Sequence, residues 1–188
     1  MRALGKNLFV VLEGVSGTGK TTIAKLLTER INGVFYSTPS GDFQKIREKI
    51  HAMENIQFLF YFYLSSVIFA SEEIKKIIKN KPVICDRYIH TTLCYYQALG
   101  LNTSINQVKL EILAPDFIFL LTCNKNIQDE RLNTRGRSNH DVIEDRYIQK
   151  ILNEYRKYHL TKIDTTNLSP NQIVDDILLK IKPYLKNI

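Results

Sequence analysis

The sequence predicts an α/β protein in which a five-stranded parallel sheet is covered by helices on both faces. Short apolar runs, each suited to a buried strand, alternate with longer segments of helical spacing along the whole chain. Such alternation indicates parallel strands, because each return to the next strand needs a crossover helix. A glycine-rich loop also joins the first apolar run to the first helical segment, as in phosphate-binding turns.

The predicted strands are the short apolar runs. In chain order they are 8–12, 33–37, 82–85, 116–122 and 160–164. In a parallel sheet, ligands bind beyond the carboxyl ends of the strands. The glycine-rich loop, the segment after Ser37 and the segment after Cys85 all leave that edge, so we expect them to face one cleft.

The helices are predicted between these strands. They are 22–27, 54–79, 91–99, 126–135, 141–158 and a last helix that follows Ser169, with a short basic segment at 43–50. The long helix at 54–79 is apolar on most sides near its middle, which predicts that it is deeply buried.

Residues at the helix ends support these assignments. Gly100 is a plausible C-cap for the helix before it, and Gly136 stops another. Ser169 is a good N-cap, Pro170 stands at the first helical position, and Gln172 completes a capping box. The last helix therefore has a well-defined start.

Composition limits the class of protein. The 188 residues suit a single domain, 1–188, with a sizeable core, and 44% hydrophobic and 24% charged residues exclude a disordered chain. The longest apolar stretch, 56–70, contains Gln57, Ser65 and Ser66 and is too short for a membrane span. No secretory signal precedes the first strand, so we expect a cytoplasmic protein with no membrane partner.

The cysteines and histidines give no sign of a metal-binding cluster, and the charged residues give no sign of a nucleic-acid-binding surface. The three cysteines, Cys85, Cys94 and Cys123, lack metal-ligand spacing, and the four histidines are scattered. The net charge is +7, but no block of lysines and arginines stands out with interleaved aromatics. We therefore expect small anionic partners rather than nucleic acid.

The glycine-rich loop at 14–21 fits the P-loop pattern G-x-x-x-x-G-K-[ST]. Its glycines let successive N–H groups wrap a phosphate ahead of a helix N-terminus, which favours the same anion. Lys20 can reach the terminal phosphates of ATP, and Thr21 offers a hydroxyl to Mg²⁺. A chance glycine-rich turn would lack the strand before it and the helix after it. The predicted ATP-binding residues are Gly14, Val15, Ser16, Gly17, Thr18, Gly19, Lys20, Thr21 and Thr22.

Asp86 and Arg87 directly follow the third predicted strand. Asp86 can hold Mg²⁺ opposite Thr21, directly or through water. Arg87 can bind a phosphate as a bidentate fork. A surface Asp-Arg pair at a strand end is the simpler alternative, but a P-loop at the same sheet edge favours a functional role.

Three arginines, Arg131, Arg135 and Arg137, precede and follow Gly136. On a mobile segment, such cations can close over the transferring phosphoryl group and stabilise its charge. The alternative is a solvated basic face. A catalytic role is favoured because the P-loop itself carries no arginine. We expect a lid at about 131–144.

These pieces together resemble the thymidylate kinase family of P-loop nucleoside monophosphate kinases, through nearly the whole chain. The matching stretches are the P-loop, the I-R at 46–47, V-I-C-D-R-Y at 83–88, T-T-x-x-Y-Y-Q at 91–97, the P-D at 115–116, the arginine-bearing lid and the D-x-x-E at 141–144. The D-R-Y with the T-T-x-x-Y-Y-Q after it is more particular to this family than the P-loop.

The resemblance implies a three-layer P-loop kinase fold and transfer of the γ-phosphoryl group of ATP to dTMP, on the route to dTTP. It implies that Lys20 and Thr21 hold ATP and Mg²⁺. The predicted catalytic residues are Lys20, Arg87, Arg131, Arg135 and Arg137, and the predicted metal ligands are Thr21 and Asp86. The predicted acceptor-binding residues are Arg47, Arg87, Thr92, Tyr95 and Gln97. It also implies a homodimer, for which the apolar helix at 58–69 is a candidate interface, although the same stretch could equally belong to the core.

The chain departs from the family pattern on the acceptor side. Ser16 replaces an acidic P-loop residue, Ser37-Thr38-Pro39 replaces an R-E-P or R-x-P run, and Ser66 lies where the long helix has an arginine. The acceptor's identity is therefore open at this stage.

These departures leave two alternatives. A deoxynucleoside kinase of related fold would need a general base for the 5′-hydroxyl, and a carboxylate is absent just after the second strand, where Thr38 stands. A nucleotide-binding regulatory paralogue with weak catalysis would bind ATP without turnover.

Overall fold

The computed structural model describes residues 7–102 and 110–185. Its strands are β1 (Phe9–Glu13), β2 (Val34–Ser37), β3 (Val83–Asp86), β4 (Phe117–Thr122) and β5 (Thr161–Asp164). Its helices are α1 (Lys20–Arg30), α2 (Gly41–His51), α3 (Ile56–Ile77), α4 (Ile89–Ala98), α5 (Lys125–Arg135), α6 (Asn139–Arg156) and α7 (Pro170–Ile181). A short 3₁₀ turn, Lys182–Tyr184, follows α7.

The strands form one parallel sheet in the order β2-β3-β1-β4-β5, which confirms the predicted fold class. β1 lies at the centre, and all its residues are buried. Asp86 pairs in register with Leu12 on β1 and with Ser37 on β2. The carboxyl ends of three neighbouring strands therefore lie side by side, so the P-loop and the segments after β2 and β3 leave one edge of the sheet.

Helices cover both faces of the sheet because β1 is apolar on both sides. Phe9 and Val11 pack into a core with residues of α3, α4 and α6. The alternate residues, Val10 and Leu12, pack into a second core with α1 and α7. The result is a three-layer structure, and the side chains of β1 alternate between the two layers of helices.

The predicted helix ends are largely confirmed. Ser169 caps α7, with the reciprocal bond to Gln172 in place. Gly100 follows α4 with a left-handed φ of +96°, as a C-terminal glycine should. α6 starts two residues before the predicted boundary at 141, because Ser138 and Asp141 form a second capping box.

Two expectations need correction. The basic segment at 43–50 is a helix, α2, none of whose residues is buried. The long helix α3 is not deeply buried all round: Phe58, Tyr61 and Phe69 are 41%, 52% and 43% exposed. Its opposite face packs into the core, so its apolar composition serves both a core face and an exposed face. Within the described residues, no helix is long and apolar enough to cross a membrane.

Candidate active site

A cavity of about 940 Å³ opens at the carboxyl edge of the sheet. Its walls come from the P-loop, the segments after β2 and β3, and residues of all seven helices, α1 to α7. The sequence-predicted residues that line it are Ser16, Gly17, Thr18, Gly19, Lys20, Thr21, Thr22, Arg47, Asp86, Arg87, Thr92, Arg131 and Arg135. One cavity therefore joins the predicted ATP-binding residues to Arg47, Arg87 and Thr92 on the predicted acceptor side.

At two positions, the P-loop backbone has a conformation that only glycine allows. Gly14 has a φ of +136°, and a Cβ there would lie 2.4 Å from the carbonyl oxygen of Leu121. Gly17 has a φ of +80°, and a Cβ there would lie 2.9 Å from Cγ of Gln128. These contacts hold the loop against β4 and α5, which orients its N–H groups before any ligand arrives.

Lys20 lies at the start of α1 with its side chain folded over the loop. Its Nζ donates to the carbonyl oxygen of Val15 at 2.7 Å and to Thr18 Oγ1 at 3.3 Å. Burial, and secondarily the charge of Arg87, lower the pKa of Lys20 to about 7. A polyphosphate beside the ammonium group would offset both effects, so this lysine is poised to bind an anion.

Thr21 and Asp86 form a pair of oxygen ligands. The Thr21 hydroxyl donates to Asp86 Oδ2, while Asp86 Oδ1 is buried and has no hydrogen-bond partner among the described residues. Mg²⁺ prefers one or two such protein oxygens together with waters and substrate phosphates. The pair fits Mg²⁺, which when bound would neutralise charge on the β- and γ-phosphates of ATP.

Arg87 reaches from the end of β3 across to the P-loop. Its guanidinium donates to the carbonyl oxygen of Gly14 at 2.9 Å, to Ser16 Oγ at 3.3 Å and to Thr91 Oγ1 at 3.4 Å. Its Nη2 also lies 3.9 Å from Glu144 Oε2. Burial opposes the positive charge, but Glu144 and Asp86 outweigh it and raise the pKa of Arg87. The arginine is a fixed cation at the cavity wall.

The three predicted lid arginines have different surroundings. Arg131 donates to the side-chain and carbonyl oxygens of Thr165, at 2.9 and 2.8 Å, and lines the cavity. Arg135 also lines the cavity, is largely exposed and pairs with Asp141 at 2.7 Å. Arg137 instead pairs with carboxylates outside the cavity lining, those of Asp129 and Asp145.

The predicted acceptor-binding residues also divide. Arg47 and Thr92 line the cavity, whereas Tyr95 and Gln97 do not. Tyr95 contributes indirectly, because its ring stacks on His140, which does line the cavity, with centroids 5.2 Å apart. The structure thus places Arg47, Arg87 and Thr92 in the same cavity.

Several site residues were not singled out from the sequence. Glu13, fully buried at the end of β1, accepts hydrogen bonds from Tyr88 N and from the hydroxyls of Thr91 and Tyr155. A charged residue that ends an apolar strand just before the P-loop is a signal that could have found it. Glu144 accepts from Ser16 N at 2.5 Å. The D-x-x-E stretch indicated Glu144 as part of the resemblance, without a role.

The fold and this constellation define a P-loop kinase, with a buried lysine on the loop and an arginine opposite it. Comparison with known proteins narrows the class. A family profile described as thymidylate kinase matches residues 12–177. The chain belongs to the thymidylate kinase family.

Individual relatives agree with this assignment. The probable thymidylate kinase of Methanocaldococcus jannaschii is 29% identical over 97% of this chain and 97% of its own length. That of Methanococcus maripaludis is 30% identical over 92% and 94%. Among solved structures, a thymidylate kinase from Candida albicans covers 94% of this chain and 92% of its own with a TM-score of 0.76 at 15% identity. A deoxyadenosine kinase from M. mycoides covers 93% and 99% with a TM-score of 0.68 at 16% identity. At these identities the two structures support the fold.

Proposed function

We propose that this protein transfers the γ-phosphoryl group of ATP to dTMP, giving dTDP and ADP. The observation that carries the proposal is the position of Arg87, whose guanidinium lies in the same cavity as the P-loop and donates to the carbonyl oxygen of Gly14. A cation there can hold the phosphate of an acceptor next to the terminal phosphate of ATP. Membership of the thymidylate kinase family supports dTMP as that acceptor.

In this mechanism the protein positions two anions and offsets their charge. The P-loop amides and Lys20 hold the phosphates of ATP, and Thr21 and Asp86 would hold Mg²⁺. Arg87 and Arg47 hold the acceptor. No general base is needed, since a phosphate monoester has a second pKa of about 6 and is already largely ionised near neutral pH.

The lid at 131–144 supplies the remaining cations. Arg131 is fixed beside the P-loop by Thr165, while Arg135 is largely exposed and pairs with Asp141. We infer that Arg135 moves towards the transferring group when both substrates are bound. Arg137 stays a predicted catalytic residue whose contacts with Asp129 and Asp145 must break before it can take part.

The alternative reaction, on a nucleoside hydroxyl, lacks support at the position where it needs a base. Thr38 follows β2, and its hydroxyl donates to the carbonyl oxygen of Arg87 at 3.0 Å. The nearest acid along that segment, Asp42, is exposed and paired with Lys45. The regulatory alternative also loses ground, because the residues that line the phosphate end of the cavity are those that turnover needs.

One assay tests the proposal. The purified protein is incubated with ATP, Mg²⁺ and each of dTMP, dUMP, dCMP, dAMP and thymidine, and ADP release is followed. We expect turnover with dTMP and none with thymidine, and almost none in Lys20→Ala. Phosphorylation of thymidine in preference to dTMP would support the nucleoside kinase instead. ATP binding without turnover of any acceptor would support the regulatory protein.

We further infer that the exposed apolar face of α3, formed by Phe58, Tyr61 and Ile68, packs against a second copy of the chain. Tyr61→Glu should then give a monomer in light-scattering measurements of mass. Leu179→Glu, at a 75% exposed leucine on α7, is the matched control and should leave the mass unchanged. A monomeric wild type would contradict this inference. Residence in the cytoplasm stays a prediction.

A further inference from the structure

His140, the second residue of α6, lines the cavity. No pattern in the sequence indicated a role for this residue. Its ring stacks on Tyr95 of α4, with centroids 5.2 Å and planes 17° apart. The ring of His51 on α2 meets it edge-on, with centroids 6.3 Å apart. His51 in turn shares a 2.6 Å hydrogen bond with the Tyr63 hydroxyl of α3. Four helices therefore contribute one aromatic cluster beside the cavity.

The cluster lies among the cations of the acceptor side. The charged or titratable groups around the His140 ring are Arg47 and His51 on α2, Arg87 after β3, Tyr95 on α4, and Asp141 and Glu144 on α6. Asp141 is already paired with Arg135 and capped onto Ser138. Among the described residues, α3 gives the cavity Tyr63 but no charged side chain.

The surroundings of His140 within the protein favour the neutral imidazole. Burial is the main cause, and the charges of Arg87 and Arg47 add to it, so the pKa of His140 falls to about 4 although Glu144 opposes the shift. A doubly charged phosphate near both arginines would offset their charge, and a hydrogen bond from the ring to that phosphate would oppose the effect of burial. The same ring would then be favoured as a cation.

We propose that His140 binds the phosphate of the acceptor nucleotide from the lid side and becomes protonated as it does so. This inference rests on the proposed function, since it needs a monophosphate between Arg47 and Arg87. The proton comes from solvent and returns to it when the product leaves. The bound acceptor is then held by two guanidinium groups and by one imidazolium, and the imidazolium belongs to the lid.

The direct test is NMR titration of the histidine ring protons. With four histidines in the chain, His140→Gln identifies the resonance of His140. Saturating dTMP should raise the pKa of His140 by about 3 units, the upper end of the range expected for a new opposite charge close by, because a smaller rise would leave the ring neutral at pH 6.5. Thymidine, which lacks the phosphate, should leave it unchanged, and so should ATP alone. The resonance of His159, which is exposed, is the internal control.

Kinetic variants separate the ring stack from the proton. His140→Phe keeps a ring against Tyr95 but offers no nitrogen. At pH 6.5 its KM for dTMP should rise about tenfold with a smaller change in kcat, as expected for loss of one hydrogen bond to a charged group. His159→Gln should behave as the wild type. If the stack alone mattered, the Phe variant would keep the wild-type KM.

Two failures are distinguishable. If dTMP binds with its usual affinity while the pKa of His140 does not move, this inference is wrong and the proposed function stands. If dTMP neither binds nor reacts, the proposed acceptor is wrong. The titration is then repeated with whichever monophosphate the protein does phosphorylate, and failure to phosphorylate any monophosphate overturns both.

Discussion

Replacing Arg87 by alanine is the perturbation whose size the structure defines best. The side chain is 21% exposed and contacts Gly14 and Ser16 of the P-loop. A bidentate bond to a phosphate would add two charge-assisted hydrogen bonds of about 1.5–3 kcal/mol each. Part of this gain is offset by the loss of the existing bonds to the loop. A net effect of about 3 kcal/mol corresponds to a roughly 100-fold rise in the KM for dTMP.

The assay measures the KM for dTMP by ADP release and the Kd for ATP by titration. We expect Arg87→Ala to leave the Kd for ATP within about threefold of wild type, a free-energy change under about 1 kcal/mol. Arg87→Lys keeps the charge without the fork and should fall between alanine and wild type. Arg30→Ala, which removes an exposed ion pair with Asp175, is the matched control and should change neither value. An equal loss of affinity for ATP and dTMP in Arg87→Ala would refute the role given to Arg87.

Three other predictions concern the ATP side and the lid. ATP binding at pH 8 should be accompanied by uptake of a proton onto Lys20, because burial and Arg87 lower its pKa to about 7 and the polyphosphate would raise that pKa towards its usual value. Calorimetry in two buffers of different ionisation enthalpy measures the uptake, and equal uptake in Lys20→Met would contradict this prediction. Asp86→Asn should weaken the binding of Mg²⁺, so that the Mg²⁺ concentration giving half-maximal kcat rises by about tenfold. An unchanged Mg²⁺ titration would remove this carboxylate from the metal site. Arg135→Ala should lower kcat by about three powers of ten with little change in the KM for ATP or for dTMP. Arg137→Ala should lower kcat less. If steady-state kinetics show the larger loss of kcat in Arg137→Ala, the lid rearranges to bring Arg137 inwards.

The sheet and the P-loop could be predicted because their signals are local. An apolar run such as 8–12 has its meaning wherever it lies in the chain, and the spacing of glycines in the P-loop specifies a backbone shape. The capping box at Ser169 was equally local and is present as predicted. The box at Ser138 has an aspartate in place of the usual Glu or Gln, which explains why the start of α6 was placed too late.

The parts that were missed depend on residues distant in sequence. Glu144 contacts Ser16 across 128 positions, and nothing near either residue indicates that contact. The exposed face of α3 has the same apolar composition as its buried face, so periodicity could not distinguish them. His140 lines the cavity from the first turn of α6, a helix that the sequence predicts to start only at 141.

We propose that one cavity holds ATP on the P-loop and a monophosphate on Arg87, in line for direct transfer. A single-turnover reaction with ATP labelled in its γ-phosphoryl group, Mg²⁺ and dTMP tests this arrangement. We expect the label to appear in dTDP at the rate at which it leaves ATP. Label released only as inorganic phosphate, or retained on bound ATP while dTMP is also bound, would contradict it.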